Sequence, residues 1–269
     1  MENNRTFVKK ENSTYQFDTD QHGYPTFTQK NIDFVTAIIS YDSNYSSSSV
    51  QSDNLAEDNY VGILRQDDFF TLNELDQVIA SIDRINSTHL SSEGPRVKGG
   101  GGKEKTAEAI RCIGGEELRK RLEEGDPVLV HEIAGAVPNK YNFSFASKFC
   151  AYTSQYALKK RNYCIYDRVL QSVLPYYYYI YVDGDGYRNL YKTVRGRADN
   201  ESVISDYCQD RKNTNGYAQY RQLIDDIISG IEEKCGIRID YEAFDHIVWY
   251  YFKGSNSKVQ KAMNLLPRK

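Results

Sequence analysis

Apolar residues spaced three and four positions apart predict helices along most of this chain. Ile32–Ile39 is a short run of this kind, and Thr71–Ile85 is a longer one. Thr71 is a plausible N-cap for the longer helix, and Glu74 three positions later would complete a capping box. The first third of the chain is therefore expected to supply two helices.

The middle of the chain continues the helical pattern with clear end signals. A helix is expected from about Glu104 to Leu122, broken at Gly114-Gly115. Asp126–Ala136 predicts another helix, because Pro127 suits a first helical turn.

The second half of the chain predicts four more helices. One begins near Ser144, and the next has Asp167 as its N-cap before a hydrophobic run. Tyr217–Cys235 and Tyr241–Phe252 are amphipathic segments of helical period, and the second carries the one tryptophan, Trp249.

Few segments favour strands. Tyr60–Leu64 is a candidate, and Tyr176–Val182 and Tyr187–Val194 flank Asp183-Gly-Asp-Gly186 as in a β-hairpin. A helix that extends through the tyrosines is the alternative. Serine-rich residues 40–59 and glycine-rich residues 91–103 predict loops.

These patterns predict a mainly α protein with a polar N-terminal extension and one small β-hairpin. Residues 1–60 are expected to form a polar arm and a serine-rich loop, and residues 61–269 a helical domain.

Composition narrows the function classes. The formal charge is −3, so a nucleic-acid-binding surface would have to be local. The five cysteines include no C-x-x-C pair, which favours reduced thiols in a cytoplasm over disulfides, and no metal or cofactor is expected. No apolar run is long enough to span a membrane, and residues 1–17 lack the apolar core of a signal peptide.

One segment suggests chemistry. In Asn142–Leu170 (NFSFASKFCAYTSQYALKKRNYCIYDRVL), Lys148 stands in an apolar helical run and Asp167 begins the following helix. Most lysines on helices are solvated surface residues, and an aspartate before a helix is often only a cap. The pairing of the two in this context raises the functional hypothesis.

This segment resembles the helix-hairpin-helix DNA glycosylase superfamily, and most closely bacterial 8-oxoguanine DNA glycosylase-like proteins. The similarity lies in the Ser-Lys-Phe element at Ser147–Phe149, in Tyr166-Asp167, and in the C-terminal Phe244–Tyr251. Two glycines of the family hairpin are replaced here by Ser144 and Ala146. The resemblance implies a helix-hairpin-helix glycosylase-like architecture that carries its lysine and aspartate motif at residues 142–170.

The resemblance also implies a mechanism. Lys148 would attack the sugar C1′ and form a Schiff base, and Asp167 would stay ionised and stabilise the sugar cation. An amine at a helix start, in the first turn after Ser144, loses hydration and meets the positive end of the helix dipole, which favours its neutral, nucleophilic form.

The implied substrate is double-stranded DNA with one flipped base. Further residues are assigned to binding. Candidate DNA contacts are Ser144, Phe145, Ala146, Ser147, Lys159, Lys160, Arg161, Arg195 and Arg197, and candidate base-pocket residues are His246, Trp249 and Phe252. The expected activity is excision of a modified base, an oxidised guanine or a modified base of phage DNA, with or without strand cleavage.

A different class of function stays open. The chain could be a non-catalytic module that senses nucleic acid or a nucleotide, or that docks a protein partner through residues 1–125, for example in bacterial anti-phage defence.

Two other motifs are rejected by their spacing. His131-Glu132 lacks the H-E-x-x-H spacing of a zinc protease, and Gly99–Gly102 before Lys103 lacks the spacing of a phosphate-binding loop.

Overall fold

The computed structural model describes residues 7–9, 14–15, 17–21, 24–39, 45–46, 60–86, 101–138, 140–184, 186, 190–194, 197–202, 204 and 211–252. The chain divides into two compact units. Unit 1 comprises Met1–Gln51, Asp167–Asp206 and Tyr220–Lys269, and unit 2 comprises Ser52–Tyr166 and Tyr207–Gln219.

The fold is mainly helical, as the sequence predicts. The helices are α1 (Gln29–Ile39), α2 (Leu75–Asn86), α3 (Gly102–Ile113), α4 (Gly115–Glu124), α5 (Pro127–Ala134), α6 (Phe143–Leu158), α7 (Arg168–Tyr181), α8 (Gly216–Cys235) and α9 (Tyr241–Phe252). The short strands are β1 (Phe7–Lys9), β2 (Thr14–Tyr15), β3 (Tyr45–Ser46), β4 (Tyr191–Val194) and β5 (Arg197–Ser202). Among the described residues, none of the helices has the length and apolar character needed to cross a membrane.

Helix α6 is the centre of unit 2. It packs against α2, α4 and α5. Its residues are buried on nearly every side, and small ones such as Ala146 and Ala151 let neighbouring helices approach. The helix that carries Lys148 is therefore a core element.

Two local predictions in unit 2 are wrong. Residues 60–64 are helical rather than extended, because Tyr60 and Leu64 are both fully buried at the i, i+4 spacing of one helix face. Thr71 ends a 3₁₀ turn (Phe69–Thr71) instead of capping the next helix. Leu72 then takes a left-handed conformation with φ of 62°, and α2 begins only at Leu75.

The glycine signals in unit 2 mark real boundaries. Gly114, with φ of 83°, separates α3 from α4 as predicted. The loop predicted over residues 91–103 extends too far, because Gly102 and Lys103 already belong to α3. Residues 91–100 lie outside the described part of the chain. Asp126 caps α5 by accepting a hydrogen bond from Val128 N at 2.9 Å.

Unit 1 has an aromatic core to which the N-terminal segment belongs. Phe27 is fully buried and stacks on Phe244, with ring centroids 5.4 Å apart. Tyr24 stacks on Phe252 at 5.6 Å. The described part of residues 1–60 is thus in part core, which differs from the polar arm that the sequence suggested.

Asn31 holds this N-terminal segment to α1. The side chain is fully buried, and its amide nitrogen donates to Asp18 O at 2.8 Å and to Thr26 O at 2.7 Å. Its amide oxygen accepts from Asp18 N at 2.9 Å. One buried amide thus satisfies three backbone groups of a segment that has no helical bonds of its own.

The predicted hairpin lies in a different place. Tyr176–Val182 is not a strand, because α7 continues to Tyr181 and buries Val173, Leu174, Tyr177 and Tyr181 at helical spacing. The observed two-stranded sheet pairs β4 with β5, with Val194 opposite Arg197, so these strands do not flank Asp183–Gly186.

A close helix contact fixes the end of α7 in unit 1. A Cβ on Gly230 of α8 would lie 2.2 Å from the carbonyl oxygen of Tyr181, so a glycine is required there. One turn later, Lys234 Nζ donates to Ile180 O at 2.7 Å and covers a carbonyl of the last turn.

We expect Gly230→Ala to lower the free energy of unfolding by about 1–3 kcal/mol, the usual cost of overpacking. Alanine normally raises the stability of a helix relative to glycine, so a loss of stability in this variant would be due to the clash. Denaturant titration followed by Trp249 fluorescence measures unit 1 directly. Gly184→Ala is the control, because its Cβ would meet only Tyr179 at 3.9 Å. Equal stability of the two variants would contradict this account.

Candidate functional site

Asn142 starts the lysine-bearing helix. Its side-chain oxygen accepts from Phe145 N at 3.3 Å, and its own N–H donates to Ala134 O at 2.9 Å. The cap therefore fixes the start of α6 against the end of α5, which packs alongside it. Because α6 begins at Phe143, Lys148 lies in the second turn and not in the first turn after Ser144.

The side chain of Lys148 is buried. The residue is only 5% exposed, and Nζ donates to Ser144 Oγ at 3.0 Å. The two residues are one turn apart on α6, so the hydroxyl lies beside the path of the lysine side chain. Lysine is among the residues least often buried. Lys148 therefore differs from the solvated lysines that most helices carry.

Ser147, the residue before Lys148, holds the chain just before Asp167. Ser147 is fully buried, and its Oγ accepts from Tyr166 N at 3.0 Å. The same hydroxyl lies 3.2 Å from Ser144 O, to which it donates. The backbone of Tyr166 is thus tied to the turn of α6 that carries the lysine.

Asp167 is the N-cap of α7. Its Oδ1 accepts from Leu170 N at 2.7 Å, and the residue is 8% exposed. This confirms the capping prediction. The division of the chain separates the two predicted catalytic residues, with Lys148 in unit 2 and Asp167 as the first residue of the second segment of unit 1.

The residues aligned with the glycosylase hairpin have internal partners. Phe145 and Ala146 are 1% and 0% exposed. Ala146 N donates to Asn142 O at 3.1 Å, and Phe145 N is used by the Asn142 cap. A phosphate would have to displace these bonds to reach either amide. Only Ser144, which is half-buried, reaches the surface in this group.

The predicted basic contacts are partly visible. Lys159, Lys160 and Arg161 are all exposed at the C-terminal end of α6. Arg197 is the first residue of β5, whose side chains lie outside the described set, and Arg195 lies outside the described residues altogether.

The predicted base-pocket residues lie on α9 in unit 1. His246 and Trp249 are half-buried, and their rings contact Tyr250 with centroid distances of 6.0 Å and 4.9 Å. Phe252 is 1% exposed and stacks on Tyr24, so it is a core residue here. Asp245, which directly precedes His246 on the same helix, is a buried carboxyl that is 8% exposed and is absent from the predicted base-pocket residues.

The buried His131 hydrogen-bonds Tyr217, which belongs to the second segment of unit 2, Tyr207–Gln219. His131 Nε2 accepts from Tyr217 N at 2.9 Å, so the ring proton lies on Nδ1, which contacts Tyr141 Oη. Tyr217 Oη donates to Cys164 O at 2.8 Å. Burial lowers the pKa of His131, which favours the neutral ring that this geometry needs.

The chain matches no family model, no curated protein and no solved structure.

We expect Ser147→Ala to lower the free energy of unfolding by about 1–3 kcal/mol, because Tyr166 N would lose a buried acceptor. Ser154→Ala on the same helix is the control. Its hydroxyl donates to the carbonyl of the exposed Lys160, which water can replace. Thermal unfolding followed by circular dichroism compares them, and a larger loss for Ser154→Ala would overturn the role given to Ser147.

Acidification should destabilise the protein through His131. Its folded pKa is lower than the unfolded value of 6.5, so the unfolded chain binds the proton more readily. Stability is therefore complete above about pH 7 and falls as the pH drops through 6.5 toward the folded pKa. Unfolding of the native chain and of His131→Gln between pH 8 and pH 5 should show a smaller loss for the variant. Parallel curves would show that His131 is not the titrating group.

Proposed function

We propose that the protein is a DNA glycosylase that uses Lys148 as its nucleophile. The observation that carries this is the burial of the Lys148 amine against Ser144 on the central helix of unit 2. An amine removed from water loses the hydration that favours its charged form, and only the neutral amine can attack. The proposal also takes α5, residues 135–142 and α6 as the counterpart of the helix-hairpin-helix element.

The reaction would proceed by displacement at the sugar. The lone pair of Lys148 Nζ forms a bond to C1′ as the bond from C1′ to the base breaks, and the base leaves with the electron pair and takes up a proton. The C1′–O4′ bond of the sugar then breaks, the ring oxygen keeps the electron pair and takes up a proton from water, and a protonated Schiff base forms between the lysine and C1′. Borohydride reduces this imine to a stable amine, which leaves the protein covalently attached to the DNA.

Asp167 would stabilise the positive charge that develops on the sugar. Its Oδ1 is held by Leu170 N, which fixes the carboxylate in one orientation at the start of α7. A preoriented negative group stabilises a developing cation without having to reorganise during the reaction.

DNA contact would rely on side chains more than on hairpin amides. The amides of Phe145 and Ala146 already have partners, whereas Lys159, Lys160 and Arg161 are exposed. Lysine and arginine side chains neutralise backbone phosphates and make affinity fall steeply with salt.

Borohydride trapping tests the proposal. The native chain should form a covalent adduct with duplex DNA that contains an oxidised guanine or another modified base, and Lys148→Met should form none. Lys120→Met is the matched control, because it removes an exposed lysine of the same unit that is assigned no DNA contact and leaves the nucleophile intact. Absence of any adduct across a panel of modified bases would reject the lyase chemistry. An equal adduct with Lys148→Met would reject the assigned nucleophile.

A second candidate is a non-catalytic module that senses nucleic acid or a nucleotide, or docks a protein partner. The internal use of the Phe145 and Ala146 amides favours it, because the hairpin then has no free amides at these positions to offer to phosphate. If Lys148→Met keeps full biological function, binds DNA and forms no adduct, the non-catalytic module is the better account.

A further inference from the structure

Unit 2 contains a cation-rich cavity at the C-terminal end of α6. The cavity has a volume of about 780 Å³. Its lining includes four cationic side chains and one acidic one, Asp67; the cations are Arg65, Arg119, Lys159 and Arg161. This local excess contrasts with the net charge of −3 for the whole chain.

Two of these arginines are oriented by aromatic rings that also line the cavity. The guanidinium of Arg65 lies over the ring of Tyr156 at 5.7 Å, and that of Arg119 lies over Phe70 at 5.8 Å. A guanidinium that stacks on a ring keeps its N–H edge available for two parallel hydrogen bonds to an oxyanion. Arg119 Nε also donates to Glu123 Oε1 at 3.2 Å, so a phosphate would be bound through the terminal nitrogens of that guanidinium. Side chains that are held in this way lose little freedom on binding.

The end of α6 is arranged so that an anion can approach it. The negative end of a helix dipole normally repels an anion. Here Lys159 N donates to Gln155 O at 3.1 Å and Lys160 N donates to Ser154 O at 2.9 Å, so these two carbonyls are covered. The exposed cations Lys159 and Arg161 oppose the remaining negative end of the dipole. Lys159 itself adopts a left-handed conformation with φ of 55°, a position where glycine is the usual residue. A lysine therefore stands at the cavity in spite of a backbone conformation that disfavours it.

We propose that this cavity binds the phosphate groups of a nucleotide. The four cationic side chains carry enough positive charge to neutralise two or more phosphate groups. The volume lies in the range of sites for small ligands and exceeds what inorganic phosphate needs. Gln66 adds an amide group that can hydrogen-bond the edge of a base. The nucleotide can be a free nucleoside triphosphate or part of a DNA strand, which present the same chemistry.

The inference shares Lys159 and Arg161 with the DNA contacts of the glycosylase proposal, but it adds a nucleotide site and does not depend on Lys148. Lys148 does not line the cavity. Lys148→Met should therefore abolish borohydride trapping and leave nucleotide binding unchanged, so that failure of one proposal is distinguishable from failure of the other.

Fluorescence titration with a ribose-labelled ATP tests the site, with unlabelled ATP, pyrophosphate and a single-stranded 12-nucleotide DNA as competitors. The expected result is saturable binding that weakens with salt and is at least about tenfold weaker in Arg65→Gln and Arg119→Gln, because each loses a charge-assisted bond to phosphate. Lys120→Gln is the matched control, since Lys120 is exposed on α4 beside Arg119 but does not line the cavity.

Lys159→Gly separates charge from folding. Glycine suits the left-handed position, so this variant should be at least as stable as the native chain while it binds the labelled nucleotide more weakly. Competition by ATP would identify a free nucleotide as the ligand. Direct binding of the 12-nucleotide DNA without binding of ATP, again weakened in Arg65→Gln, would support the same site with a DNA strand as its source. Absence of binding to both probes, or equal binding by all variants, would overturn the proposal.

Discussion

The burial of α6 is the constraint on which the organisation of unit 2 depends. A helix that is covered on nearly every side must satisfy most of its polar groups from within the protein. Asn142 does so for the first turn, Ser147 takes up the amide of Tyr166, and Ser144 accepts from the Lys148 ammonium or amine. The polar residues that make this helix a candidate site are therefore also the residues that allow it to be buried. For this reason, any variant of these polar residues needs separate measurements of stability and of activity.

Local signals in the sequence predict the elements that local interactions decide. Asp167 is followed by a hydrophobic run, and Gly114 can adopt a positive φ, so the start of α7 and the break between α3 and α4 are predicted correctly. Thr71 shows the limit of such signals. It has the sequence context of a capping box, but burial of Phe69 and Leu72 around a 3₁₀ turn delays the helix to Leu75. The tyrosines after Tyr176 suit a strand by composition, and the packing of Tyr177 and Tyr181 in the unit 1 core makes them helical.

Long-range proximity accounts for what the sequence could not predict. Arg65, Arg119 and Lys159 are far apart in the chain, and only the packing of unit 2 brings them to one cavity. The sequence does show the basic cluster Lys159–Arg161, but not the rings that orient its distant partners. Similarly, the histidine at position 131 is predictable as a core-edge residue, whereas its bond to the amide of Tyr217 requires a contact across 86 positions. The mild overall acidity of the chain conceals the cation-rich cavity, because net charge averages over surfaces that differ locally.

The bond between His131 and Tyr217 has a consequence for the order of synthesis. Unit 2 is discontinuous, and its last segment, Tyr207–Gln219, leaves the ribosome after the whole of Asp167–Asp206. Until that segment emerges, Nε2 of His131 lacks its donor and the carbonyl of Cys164 lacks the Tyr217 hydroxyl. Translation must therefore pass some 50 residues beyond the end of the first segment before the core of unit 2 can close. During that interval the aromatic core of unit 2 is incomplete, because Tyr217 has not yet joined it.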